Sequence, residues 1–539
     1  MNLLLKYLNT LKYLKSRQIF YLFLRRILRI KKISHNSIRD LSLSVSELNS
    51  SNKIKSFLIE GINYSYPENN IKINNKFYKL YKENKFRNEL DEYCFYSLPF
   101  LRDKIKDLNK KASKTAVIKK IIETTKDISL ANDPWPSSKR LINLVTCLVE
   151  NQIYDNEIIS FISHEVKRIS KGLEYDLDGN HLLTNFCAIV YSLSYLADKK
   201  NCNKYLSLLL HELQEQILPD GSHYELSPIY HSALIIEIGN LYLILKENKE
   251  ISEINVTSLK SFLDRLIFSY KNLCFESGKP VNFNDSNDES NLCRKQLEEF
   301  VKINNLKEDT DNLKQKISNN FIFERRSNYE LCIKSSAISS DYIPGHSKSD
   351  LASFELAVKG FRIIRNIGTS TYHDLERRDF ERSSKASNTI AYNGKSSTEV
   401  WDKFRVARRP SEVTWEENSS KNNKEYEIDY NFLGSKQIQH KRKFVCFENK
   451  ILIEDFIISE EERKLESFLH VEGDVNILDN KTVILSNRNL ERDVKVVVNE
   501  GKFNIKNSSM AIGFDKLIPS KTISFISRTK KIYIEIELL

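Results

Sequence analysis

The chain predicts a multidomain protein, helical in its first half and antiparallel β in its second. Three observations lead there. Apolar residues recur at helical spacing from about residue 85 to 300. A polar, charged stretch, Lys302 to Asn320, then interrupts them. Beyond it the period shifts to partial alternation rich in β-branched residues. At 539 residues the chain exceeds what one ordinary core holds, so at least two domains are expected.

Each element follows from its own pattern. Residues 1–84 open with a basic amphipathic region: every charged residue from Met1 to Lys32 is Lys or Arg, with Leu4, Leu5, Leu8, Leu11, Ile19, Phe20, Leu22 and Phe23 between them. No apolar run there is long enough to span a bilayer. A helix on an anionic membrane and a helix docked on the first domain both remain open readings. Residues 85–304 form the helical domain. Leu182, Phe186, Ile189, Leu193 and Leu196 share one helix face, as do Leu206, Leu209, Leu213 and Ile217, then Leu234, Ile238, Leu241 and Leu245. Short polar breaks between them predict antiparallel neighbours, and the period does not separate a bundle from a toroid. Residues 305–320 read as a linker. Residues 321–539 hold the strands: Leu351 to Gly368, Ile451 to Ile458, Ile532 to Leu538, and a hairpin over Val475 to Ser486 turning at Asp479-Asn480. Segregated strands of this kind make a sandwich.

The formal net charge of +11 favours an anionic partner: nucleic acid, membrane surface or acidic glycan. No zinc-finger, RNP-like or helix-turn-helix signature accompanies the charge, so nucleic acid is set aside. The eight cysteines are scattered with no CxxC pair, which reads as free thiols.

Three polar clusters break the apolar periodicity. Gly179-Asn180-His181 precedes a strong helix, where Asn also serves as a cap. Pro219 to His231 packs His223, Tyr224, Glu225, Tyr230 and His231 into one inter-helix loop, dense enough in titratable groups to suggest a site. Pro344-Gly345-His346-Ser347-Lys348-Ser349-Asp350 opens the first clear strand of the second domain; if extended, it puts His346, Lys348 and Asp350 on one face.

Read together, DGSHYELSPIYH, GNHLLTN, NDPWPSSKRLIN, GHSKSDLASFELAVKG, NIGTSTY, RSSKASNT and EVWDKFRVARR resemble, in order, the motifs of heparinase II/III-type polysaccharide lyases over roughly residues 85 to 410. The resemblance implies an (α/α) toroid followed by an antiparallel β-sandwich, and a carbon–oxygen lyase performing β-elimination on an acidic, uronate-containing polysaccharide. By motif, Asn180 and His181 would hold the uronate carboxylate, Tyr230 would act as base or acid, His346 would be the second acid/base group, and Tyr372 would assist from the sandwich side. Trp135, Arg140, His223, Glu225, Lys348 and Arg382 would contact the glycan. A uronate C5 epimerase on a related fold and a glycan-binding protein without turnover are the alternatives. The chain departs from the motif at Lys348, Asn366 and Ser387, where metal-containing members carry zinc ligands; Lys, Asn and Ser are poor zinc ligands, so no metal and no other cofactor is expected. With no clear signal peptide, a cytoplasmic or membrane-surface location is expected, with the cell envelope as the alternative.

Overall fold

In the computed structural model, residues 3–27, 64–65, 70–73, 76–79, 84–102, 111–125, 128, 130–290, 292–306, 320–338, 340–460 and 463–539 are described. Most of the expected linker, residues 307–319, lies outside them.

The helices are α1 (Leu3–Leu11), α2 (Ser16–Leu22), α3 (Glu89–Tyr96), α4 (Lys111–Thr125), α5 (Pro134–Asn151), α6 (Asn156–Lys171), α7 (Gly179–Tyr195), α8 (Lys199–Gln216), α9 (Pro228–Leu245), α10 (Glu253–Asn272), α11 (Arg294–Ile303) and α12 (Leu375–Arg382). α3 to α11 form the toroid and α12 belongs to the strand half. α6 shows how the pattern works. Asp155 caps it by accepting from the Glu157 and Ile158 amides, and Ile158, Ile162, Val166 and Ile169 line its buried stripe. α7 is apolar on nearly every face and sits in the middle of the toroid wall, packed on α5, α6, α8 and α9. α9 is long and apolar enough to cross a membrane by composition alone, yet most of it is buried inside the protein.

The second half is a two-sheet sandwich. Among the described residues, an eight-stranded sheet runs from Ser411–Ser419 at one edge to Asp474–Ile477 at the other. A nine-stranded sheet faces it, built on Phe321–Arg325, Tyr329–Lys334, Phe354–Val358, Phe361–Ile364, Leu465–Val471, Lys516–Ser527 and Lys502–Gly513. Strict alternation explains the burial: in Lys531–Leu538 the residues Ile532, Ile534, Ile536 and Leu538 point inward while the Tyr and Glu between them face out. Phe354 and Phe444 meet across the two sheets at 5.6 Å between centroids. The hairpin turning after Ile477 is present, Asp474–Ile477 pairing with Thr482–Ser486. Two strands, Phe321–Arg325 and Tyr329–Lys334, precede the His346 segment, so that segment does not open the first strand.

The two halves share a seam. Leu226, Leu273, Phe275, Val281 and Phe283 of the helical side bury against Phe321, Cys332 and Ala357 of the strand side. Beside this apolar seam Asp288 pairs with both Arg362 and Arg365. The stretch from Val281 to Asp288 therefore ties the domains together, and it brings the buried Asp285 against His346 of the strand half. All eight cysteines are free thiols.

Candidate active site

Both domains contribute to the site: one wall combines Tyr230 and Asp285 of the helical half with residues of the strand half, and the other belongs to the helical half. Tyr230 stands in the first turn of α9, and its ring stacks on His346 at 3.7 Å. The Tyr230 hydroxyl lies 3.1 Å from that of Tyr372, which comes from the strand half. Phe404 closes this wall, 5.8 Å from His346 and 5.1 Å from Tyr372 between centroids. Asp285 holds the imidazole, its Oδ2 2.9 Å from His346 Nδ1. Arg378 in turn donates to both oxygens of Asp285, at 2.7 Å for the Nη2 bond. Burial alone would push the Asp285 carboxyl up, but Arg378 and His346 pull it far below the usual carboxylate range. An ionised Asp285 accepts a hydrogen bond from the Nδ1–H, which assigns the lone pair of a neutral ring to Nε2. Burial, aided by the Asp285 charge, pushes the Tyr230 phenol up, so its hydroxyl keeps its proton at neutral pH.

The opposite wall is the start of α7. Asp178 takes φ +60° and caps the helix through the Gly179 amide, so the cap is Asp178 rather than Asn180. Gly179 has φ +56°, and a Cβ there would come 2.6 Å from Glu225 Oε1. Glu225 also accepts from the Asn180 amide at 3.2 Å. We therefore expect Gly179→Ala to cost about 1–3 kcal/mol by strain and to move the Asn180-His181 wall. Denaturant unfolding checks this, and an unchanged midpoint would contradict it. His181 is partly exposed; Glu174 Oε1 lies 3.2 Å from its Nδ1, and Asn185 bonds the other Glu174 oxygen. Burial by itself would lower the His181 pKa, but Glu174, with Glu225 and Asp176 behind it, more than offsets this and the net shift is upward. Trp135 lies 5.8 Å from the His181 ring and 6.0 Å from Tyr93.

The sequence pattern described as Heparinase II/III N-terminus matches residues 146–311, and that described as Heparinase II/III-like, C-terminal matches residues 316–536. The chain belongs to the heparinase II/III-type polysaccharide lyase family. No curated protein matches it by sequence. Among solved structures it is similar to heparinase III, at TM-score 0.64 and 15% identity over 95% of this chain and 88% of that one. A heparinase III gene product is similar at TM-score 0.61 and 14% identity, covering 95% and 88%. Heparan sulfate lyase HepC from Pedobacter heparinus, as a mutant, is similar at TM-score 0.57 and 14% identity, covering 97% and 88%. At these identities the likeness establishes the toroid-plus-sandwich fold.

Within that heparinase II/III framework the cleft gathers Asn180, His181, Tyr230, His346, Tyr372 and Trp135, all partly accessible. Five expected glycan contacts are not surface groups. Arg140 is 1% exposed and spends its guanidinium on Glu165, Tyr96 O and Ala131 O. Arg382 is fully buried, bonding Ser347 O and Asp402 O. His223 is buried against Gln216, and burial drives its pKa down. Glu225 is buried between the two walls, its Oε1 on the Asn180 amide and its Oε2 3.7 Å from His346 Nε2, and its carboxyl is pushed up by burial. Lys348 is buried as well. The segment from His346 to Asp350 is a series of turns rather than a strand, so its polar side chains diverge. His346 meets Asp285, Lys348 meets the Gly368 carbonyl, and Asp350 meets Lys334.

Sequence reasoning missed Asp285, Arg378, Glu174 and Phe404. The acidic, Asn-rich run Asn282 to Glu289 was the available signal for Asp285. A zinc ion is not suited to the residues at Lys348, Asn366 and Ser387. The Lys348 ammonium, lowered by burial to about 8 and donating to Gly368 O at 2.8 Å, would repel it. Asn366 Oδ1 already accepts from the Asn388 amide at 2.8 Å. Among the described residues no group of three His, Cys, Asp or Glu side chains is placed to hold a metal.

Proposed function

We propose that this protein is a carbon–oxygen lyase that cleaves an acidic, uronate-containing polysaccharide by β-elimination, without a metal. The observation that carries the reading is the stacked Tyr230–His346 pair, supplied by opposite domains and linked to the Asn180-His181 segment through Glu225, which accepts from the Asn180 amide and lies 3.7 Å from His346 Nε2. A uronate carboxylate docks on Asn180 and protonated His181, which stabilises negative charge developing at C5. His346, oriented by Asp285, takes the C5 proton at Nε2. Electrons move into a C4–C5 double bond, the C4–O bond breaks, and the leaving oxygen takes the proton of the Tyr230 hydroxyl. The raised pKa keeps the Tyr230 hydroxyl protonated at neutral pH, so it has a proton to give, and Tyr372 holds the phenol in line. Trp135 offers a face for sugar stacking.

The direct test is to mix the protein with a panel of uronate polymers and follow unsaturated-sugar absorbance. Solvent exchange at C5 without cleavage would replace the lyase by an epimerase, and binding with neither reaction would leave a glycan-binding protein. Activity is expected to survive a strong chelator, with no stoichiometric zinc in the purified protein; loss on chelation restored by zinc would defeat the metal-free part.

His181 sets a pH dependence. Its folded pKa lies above the free value of 6.5, so the folded protein holds that proton more tightly than the unfolded chain. The resulting stability is fully present below about pH 6.5 and is lost as pH rises through the folded value. Tm of the parent should therefore fall with pH above about 6.5 more steeply than Tm of His181→Asn. Apparent affinity for the uronate should weaken over the same range. Parallel Tm profiles would remove His181 as the group responsible.

A further inference from the structure

The first two helices dock with their polarity inverted. A helix lying on a globular protein normally buries its apolar stripe and shows its charges to water. Here the charges point inward. Arg17 pairs with Asp178 at 3.0 Å and Glu212 at 3.1 Å, Lys15 pairs with Glu215, and Arg25 pairs with Asp176 at 2.8 Å. The polar Thr10 also turns inward, accepting from Trp401 Nε1 at 3.1 Å. Most of the apolar residues face out: Leu4, Leu5, Leu8, Ile19, Phe20 and Phe23 are each between 45% and 61% exposed, while Tyr21 and Leu24 bury against the toroid core. So many exposed large apolar residues within one short segment of a folded chain mark a contact surface. Its flanks are basic, with Lys12 and Arg26 exposed, and residues 1–39 contain no acidic side chain.

We infer that α1 and α2 form a peripheral docking face for an anionic lipid surface. Leucine and phenylalanine enter the headgroup–acyl boundary while Lys12 and Arg26 meet lipid phosphates. The inward ion pairs hold the face rigidly to the toroid. Trp401 and Arg405 hold it to the strand half, where Tyr7 stacks edge-on with Trp401 at 4.9 Å and its hydroxyl accepts from Arg405 at 3.1 Å. Phe404, which walls the catalytic cleft, sits between those two contacts, so the docked face adjoins the cleft. The chemistry of the cleft plays no part in this inference.

The test is co-flotation of the full chain with vesicles of phosphatidylcholine alone and of phosphatidylcholine mixed with phosphatidylglycerol. The parent is expected to float with the mixed vesicles and to be released by salt. The combined variant Leu4→Ser, Leu8→Ser, Phe20→Ser should lose roughly tenfold or more of that partition. Lys12→Glu with Arg26→Glu should fall to the level seen with phosphatidylcholine alone. Both variants change exposed side chains only, and circular dichroism and Tm should match the parent. Equal partition into both vesicle types, failure of the parent to float with either, or undiminished floating of the Ser variant would overturn the inference. So would a parent dimer in sedimentation that the Ser variant dissociates while no form floats, which assigns the face to a second copy of the chain.

Discussion

Tyr230→Phe is expected to lose on the order of 10²- to 10⁴-fold in kcat while remaining folded. That range corresponds to about 3–5.5 kcal/mol of transition-state stabilisation. The substitution keeps the ring, and with it the 3.7 Å stack on His346 and the buried face of α9. It removes one oxygen, whose hydrogen-bonding partner in the protein is the Tyr372 hydroxyl. The stability change should therefore stay within about 1 kcal/mol, the net worth of one hydrogen bond. KM should move little under the proposed mechanism, in which the phenol serves the leaving oxygen and Asn180 and His181 hold the carboxylate. Steady-state kinetics on the best uronate polymer, alongside a thermal melt, reads all three quantities. A Phe variant that turns over as fast as the parent removes Tyr230 from the reaction.

Asp285→Ala should damage both stability and chemistry. Asp285 and Arg378 are both fully buried, and the guanidinium donates to both carboxylate oxygens. Removing the acid strands an uncompensated cation in the interior, a loss of about 3–5 kcal/mol. The same change frees the His346 ring, whose Nδ1 sits 2.9 Å from the carboxylate, and turnover should fall on the order of 10²- to 10⁴-fold. Arg378→Met combined with Asp285→Ala separates the effects. Removing both charges should recover much of the stability and none of the activity. If the double variant recovers turnover, Asp285 acts on stability alone.

Part of the candidate site is legible in the chain because chemistry-bearing residues interrupt apolar periods. Asn180, His181, Tyr230 and His346 each sit in such an interruption, and the structure brings them to one cleft. Asp285 was not legible as the partner of His346, because 61 residues separate them and only the domain seam brings them together. Glu174 hides in the turn before α7 and becomes informative only when His181 is seen beside it.

The order of helices and strands, the faces they bury and the free state of the thiols follow from the sequence by itself, because periodicity and composition act locally. Depth and direction do not. Arg140 and Arg382 have the residue type of glycan contacts, but the helices and loops around them place both in the interior, where they bond carbonyls and, for Arg140, Glu165. His346, Lys348 and Asp350 would share a face on an extended strand; a turn sends them to three different partners. The N-terminal helices were readable as amphipathic, yet which side faces the protein was decided by acids at Asp176, Asp178, Glu212 and Glu215. Those acids lie more than a hundred residues further along the chain, and only the folded toroid presents them together as a surface that attracts the basic side and leaves the apolar side outward.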